Sequence, residues 1–249
     1  MKPIVVGIVS KHLQIEDRKP FLYTCESLKN AFIFCGAIPI SVLPPSDKAV
    51  FIGTKRHDKQ YSDFDYQQMV EKLHGDPVKT NAQYWQNALA LCDGIVFQLG
   101  TDTDDYEPFL AKYCFEHSIP ILGISSGMTN VVKGLGGTNC FCEKYHFSAE
   151  KYAHPISIDT DSFTYKVLQV DKIRVNSRHY GKTCIVPSSL KPIAFSPDGT
   201  IEIIESVDMA NKFVLLTRFN PESLYKEDEN HRKLIQAFLD ACQKRRDGK

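Results

Sequence analysis

Apolar positions in this chain fall into short runs and helical stripes that alternate from the start. Ile4–Val9 is a continuous apolar run, the pattern of a strand covered on both faces. Leu22, Cys25, Leu28, Phe32 and Cys35 follow at helical spacing, and Gly36 supplies a stop. Ile38–Leu43 reads as a second strand ended by Pro44-Pro45, so the chain opens strand–helix–strand, a parallel pair with a right-handed crossover. A helix over Trp85–Leu91 then leads to a strand at Gly94–Phe97, and a helix over Pro108–His117 to a strand at Ile119–Ile124. After Cys142 the segments become short and β-rich: Pro155–Ile158, Phe163–Val170, Ile173–Val175, Ile193–Phe195, Ile201–Ile204 and Phe213–Thr217. Turn signals separate them, clearest at Ser196-Pro197-Asp198-Gly199. An amphipathic helix from about His231 to Cys242 and a solvated basic tail, Lys244-Arg245-Arg246, follow. The pattern predicts an α/β fold: a mostly parallel central sheet flanked by helices, with an antiparallel extension.

From Ser46 to about Ala82 the chain turns charged and aromatic, too long for a plain loop. Phe64, Met69, Val70 and Leu73 fit one amphipathic helix, broken at Gly75-Asp76-Pro77. With no internal repeat or linker, the expectation is a single domain over 1–249 carrying an inserted excursion at about 46–82, a packed segment, with a lid or a partner surface as the alternatives.

Composition narrows the function classes. The 249 residues are 43% hydrophobic, and 30 basic side chains balance 30 acidic ones. That balance gives no footprint for nucleic acid or anionic membrane. The opening MKPIVVGIVS lacks a cleavage pattern and no later stretch is long enough to span a bilayer, so a cytoplasmic protein is expected. The eight cysteines form no Cys-x-x-Cys pair, and most sit on apolar stripes as small hydrophobes. Cys140 and Cys142 flank Phe141, where a redox pair or metal site is the sharper alternative to a structural role. No His/Cys cluster has zinc-type spacing, so neither metal nor cofactor is assigned.

The chemistry concentrates at Pro120–Thr138, PILGISSGMTNVVKGLGGT, which reads as a buried strand, an abrupt turn at Ser125 and a short helix ending in glycines. Such a strand–elbow–helix holds a nucleophile exposed at the end of a central sheet. Together with Ala37-Ile38-Pro39, Asp93-Gly94-Ile95-Val96, Gly136-Gly137-Thr138, His154-Pro155-Ile156, Val175-Asn176-Ser177-Arg178-His179-Tyr180, Ser196–Glu202 and Phe219-Asn220-Pro221-Glu222, it resembles the class I glutamine amidotransferase-like superfamily. The resemblance is greatest to the γ-glutamyl-γ-aminobutyrate hydrolase branch and implies a flavodoxin-like core.

In that family an elbow cysteine attacks a γ-glutamyl carbonyl, a histidine takes its proton, and a glutamate two residues later orients the imidazole. Carried over by position, the triad here becomes Ser125, Asn220 and Glu222. A carboxamide has no basic nitrogen near neutral pH, so Asn220 removes the general base. Gln98, Leu99 and Gly100 stand where the family's oxyanion turn is Pro-Gly-Gly, and Leu99 is expected to crowd the substrate carbonyl. Ser126 and Thr129 replace pocket-lining Arg and Gln, Gly181 replaces a Gln, and His179 and Tyr180 lie in the motif nearest the pocket.

The resemblance therefore implies a silenced hydrolase relative that binds a γ-glutamyl or carboxylate small molecule, or plays a regulatory role with a protein partner or as a homo-oligomer. The alternative is an active γ-glutamyl amide hydrolase or glutamine amidotransferase using Ser125 with a rebuilt base, His179 or another histidine. Blander roles stand beside these: Ser125 as a helix N-cap, His179 and His154 as structural histidines, and Glu222 as a turn cap. Asp102, Asp104, Asp105 and Glu107 read as a solvated acidic loop, with a metal site as the weaker idea.

Overall fold

The computed structural model describes residues 2–13, 21–44, 76–100 and 106–248. In chain order the strands are β1 (Val5–Val9), β2 (Lys11–Leu13), β3 (Phe21–Tyr23), β4 (Ile38–Val42), β5 (Gly94–Phe97), β6 (Ile121–Ile124), β7 (Thr138–Phe147), β8 (His154–Ile158), β9 (Lys172–Val175), β10 (Arg178–Ile185), β11 (Leu190–Phe195), β12 (Ile201–Ser206) and β13 (Val214–Thr217). The helices are α1 (Glu26–Phe34), α2 (Pro77–Thr80), α3 (Ala82–Ala90), α4 (Tyr106–Glu116), α5 (Ser126–Gly134), α6 (Phe163–Leu168) and α7 (Glu229–Asp247), with a 3-10 turn at Pro221–Ser223.

Nine strands form one sheet in the order β4-β1-β5-β6-β13-β12-β11-β8-β9. The five from β4 to β13 run parallel, and β12, β11, β8 and β9 extend the sheet antiparallel. The inner parallel strands β1, β5, β6 and β13 feed both faces, which is why they read as near-continuous apolar runs. Val6, Ile8, Val96, Leu122 and Ile124 join a core with Leu28 and Phe32 of α1 and Leu234 and Phe238 of α7. Val9, Ile95, Phe97 and Ile121 point the other way, into a second core with Trp85 of α3, Leu110 of α4 and Met128 and Val131 of α5.

A separate ribbon of β7 and β10 lies outside this sheet, with His179 directly opposite His146. Neither strand was expected from the sequence, because Thr138–Phe147 and Arg178–Ile185 lack an apolar alternation. A disulfide joins Cys140 to Cys184 across the ribbon at a Cα separation of 6.1 Å, so Cys140 pairs with β10 and not with Cys142.

Other expectations also change. Leu22 belongs to β3, and the first helix begins only at Glu26. The predicted strand Phe163–Val170 is a helix: Ser162 caps it by accepting from the Tyr165 N–H, and Thr164 and Leu168 are buried one turn apart. The basic tail continues α7, with Arg245 donating to the Cys92 carbonyl at 3.2 Å and Arg246 to that of Pro3 at 3.0 Å. The helix expected around Phe64–Leu73 lies outside the described residues. Asp76, read as a break, caps α2 through the Val78 and Lys79 N–H groups. Among the described residues no helix is long and apolar enough to cross a membrane.

Candidate active site

Strands β6 and β13 are parallel neighbours, with Thr217 in register with Ile124. Ser125 and the Arg218–Glu222 segment therefore leave the sheet side by side at its carboxyl edge, where open α/β sheets place ligands. Ser125 sits at φ 55° and ψ −111°, a conformation a non-glycine residue adopts only under constraint. The constraint is visible on both sides. The Ser125 N–H donates to the Thr217 carbonyl at 2.8 Å. One residue into α5, Gly127 lies so close to β5 that a Cβ there would overlap the Phe97 carbonyl. The elbow inferred from sequence is present, but the N-cap role for Ser125 is not: its side chain makes no capping hydrogen bond. Ser126 Oγ is turned to the Gln98 carbonyl at 3.4 Å.

Asn220 is 3% exposed and Glu222 1%. Asn220 Nδ2 donates to Glu222 Oε1 at 3.0 Å, so the two residues singled out in the sequence are brought together. Asn220 Oδ1 and Glu222 Oε2 are buried without a hydrogen-bond partner. Burial pushes the Glu222 carboxyl above the usual glutamate range, opposed by the hydrogen bonds from Asn220 and Ser223. The backbone of Asn220 is clamped by Asn176, whose Oδ1 accepts the Asn220 N–H at 2.9 Å and whose Nδ2 donates to the Asn220 carbonyl at 2.8 Å. Asn176 lies in a motif noted in the sequence without a role; the clamp gives it one.

The turn after β5 is organised by Gln98, which is fully buried. Its side chain accepts the Cys25 N–H at 2.7 Å and donates to the Val9 and Tyr23 carbonyls at 2.9 and 3.0 Å. Leu99 is half-buried and packs against the core shared by α1 and α7. A Cβ on Gly100 would meet the side chains of Lys11 and Tyr23. Thr129 Oγ1 accepts from the buried Arg218 guanidinium at 2.9 Å, and Arg218 reaches Thr183 Oγ1 at the same distance. Glu107 is no part of a solvated loop: it is fully buried, with Lys11 Nζ at 2.7 Å and Asn130 Nδ2 at 2.5 Å. Asp102, Asp104 and Asp105 lie outside the described residues. Tyr180 is exposed and stacks on Phe147 at 5.5 Å.

No histidine forms a hydrogen bond with Ser125 among the described residues. His179, the sequence's candidate for a replacement base, turns instead into a buried group with His146, His154 and Glu202. His146 Nδ1, His154 Nε2 and His179 Nε2 stand 3.9, 3.6 and 3.5 Å from Glu202 Oε1. His146 and His179 stack at 4.8 Å between ring centres. Burial, then the Arg218 charge, lowers the His179 pKa to about 3, so its imidazole is neutral. Burial raises Glu202 to about 7 despite the nearby His154 and Arg218. Sequence reasoning missed this group because its members come from four strands; the one local signal was Ser196-Pro197-Asp198-Gly199, whose Asp198 holds His146 Nε2 at 2.9 Å.

A parallel sheet that presents a strained elbow beside a carboxylate-bearing turn defines a glutamine amidotransferase-like protein. Residues 98–222 match the peptidase C26 family, and the chain belongs to it, within the class I glutamine amidotransferase-like superfamily. Protein NtpR of Enterococcus hirae is 30% identical over 149 residues, 55% of this chain and 61% of that protein, so the match spans about three fifths of the relative's length. The fold is shared with a GMP synthase subunit of Thermoplasma acidophilum (TM-score 0.65, 15% identity, covering 99% of this chain and 98% of that one). It is shared also with a glutamine amidotransferase of Thermotoga maritima (TM-score 0.56, 14% identity, covering 99% and 86%).

Proposed function

We propose that this chain is a catalytically silenced relative of the γ-glutamyl-γ-aminobutyrate hydrolases, kept as a binder of a γ-glutamyl or similar carboxylate ligand. A regulatory role toward a protein partner is compatible with such binding. The observation that carries the reading is the Asn220–Glu222 hydrogen bond, which occupies the carboxylate with an amide that cannot accept a proton from Ser125. A serine hydroxyl without a base is a poor nucleophile, and in a serine protease loss of the base costs on the order of 10⁶ in turnover. Binding is supported by the elbow itself. Ser125 makes no capping bond to the first turn of α5, so that turn's N–H groups and the helix dipole still suit an anion.

The experiment combines turnover with thermal shift on the purified chain, using glutamine, glutamate and a panel of γ-glutamyl amides. The expected result is no product above a heat-killed control, together with stabilisation by γ-glutamyl carboxylates. Product that disappears in Ser125→Ala would establish an active hydrolase with a rebuilt base. Absence of stabilisation across the panel would refute the binding role.

A further inference from the structure

The histidine–glutamate group has a geometry that hydrogen bonding does not explain. Both oxygens of Glu202, His146 Nδ1 and His154 Nε2 are buried without a hydrogen-bond partner, although both histidine nitrogens lie within 4.0 Å of Glu202 Oε1. The 3.5–3.9 Å separations are too long for N–H···O bonds, which lie near 2.9 Å. They are close to the distance between two ligands on one tetrahedral metal ion. Bonds of about 2.05 Å place such ligand atoms roughly 3.3 Å apart.

The imidazoles are also oriented for ligation. His146 gives its Nε2 to the Asp198 carboxylate at 2.9 Å, and Asp198 is itself held by Ser196 Oγ and the Thr200 N–H. His154 Nδ1 faces the Pro155 carbonyl at 3.2 Å, and His179 Nδ1 the Gly181 carbonyl at 3.1 Å. Carboxylates and carbonyls accept only, so these nitrogens carry the protons, and the opposite nitrogens of His146 and His154 turn lone pairs toward Glu202. Lone pairs converging on a buried carboxylate repel unless a cation lies between them. A ligating histidine with its other nitrogen fixed by a carboxylate or carbonyl is the usual second shell of a metal site.

We propose that His146 Nδ1, His154 Nε2 and Glu202 Oε1 form a site for a divalent transition cation, with zinc the best match to this nitrogen and oxygen set. Their ligand atoms all lie within 4.8 Å of one another. His179 Nε2 stands beside the site, 3.5 Å from Glu202 Oε1 and directly across the ribbon from His146. One ligand comes from the β7–β10 ribbon and two from β8 and β12 of the main sheet, so the ion would pin the ribbon to the sheet, a structural role. That role holds whether or not the elbow is catalytic.

The test uses the full chain, stripped with a chelator and titrated with Co²⁺ followed by competition with Zn²⁺. One equivalent of Co²⁺ should give the visible d–d absorption of a tetrahedral site, and Zn²⁺ should displace it. Asp198→Asn should weaken affinity by about 10–100-fold, the usual effect of a lost outer partner. Glu202→Gln should abolish the band in protein whose circular dichroism is unchanged. If that variant does not fold, His154→Gln, whose side chain is 18% exposed, takes its place. A folded wild-type chain that gives no stoichiometric Co²⁺ band overturns the proposal, as does a band that survives in Glu202→Gln or His154→Gln.

Discussion

Asn176→Ala removes the clamp that positions Asn220, and its cost can be worked from the structure. Asn176 and Asn220 are 2% and 3% exposed, so both hydrogen bonds are shielded from water. Truncation leaves the Asn220 N–H buried with no acceptor, a penalty of about 1–3 kcal/mol. The Asn220 carbonyl loses one donor but keeps the Ser223 N–H at 3.2 Å, so that side contributes only about 0.5–1.5 kcal/mol. The sum is about 1.5–4.5 kcal/mol, and water entering the vacated space would pull it toward the lower end. Both bonds go to the backbone of residue 220, so the loss should be the same in an Asn220→His background, within about 0.5 kcal/mol. Urea denaturation of the two single variants and the double variant reads all three numbers, provided the slope of the transition is unchanged. A loss below about 1 kcal/mol, or strong coupling between the two positions, would refute the clamp.

Glu222→Gln keeps an acceptor for Asn220 while removing the ionisation. Burial raises the folded-state pKa of Glu222, so the folded chain holds its proton more tightly than the unfolded chain, and wild-type stability falls as pH rises through and above the ordinary glutamate pKa of about 4.3. The variant should therefore gain on wild type as pH rises above about 4.3 in parallel denaturation curves, and a difference that stays constant with pH would refute the assignment.

The parallel half of the fold was legible because its strands are buried on both faces. Val5–Val9, Gly94–Phe97 and Ile121–Ile124 are unbroken apolar runs, and only a covered strand tolerates one. The elbow was legible because a small residue must follow Ser125 where α5 crosses β5, and Gly127 supplies it. Phe163–Leu168 misled because aromatic and β-branched residues suit a strand, while the Ser162 cap that decides for helix is one hydroxyl. The β7–β10 ribbon and the histidine group were invisible for a different reason. Their residues meet only through cross-strand pairing and sheet order, and no spacing along the chain encodes either. Gln98 shows the same limit: the sequence marked it as a departure from an oxyanion turn, whereas the fold uses it to tie β1, β3 and α1 together.

The proposed absence of a general base at residue 220 is tested most directly by turnover in Ser125→Cys and in Ser125→Cys/Asn220→His, measured on the same γ-glutamyl amide. The single variant gains a better nucleophile and still has no proton acceptor, so it should stay at the wild-type background. In the double variant the Glu222 carboxylate would receive an imidazole where it now holds an amide, and general-base catalysis should raise turnover by about 10²–10⁴ over the single variant. A single Cys variant as active as the double one would contradict the account, because the base would then lie elsewhere than at residue 220.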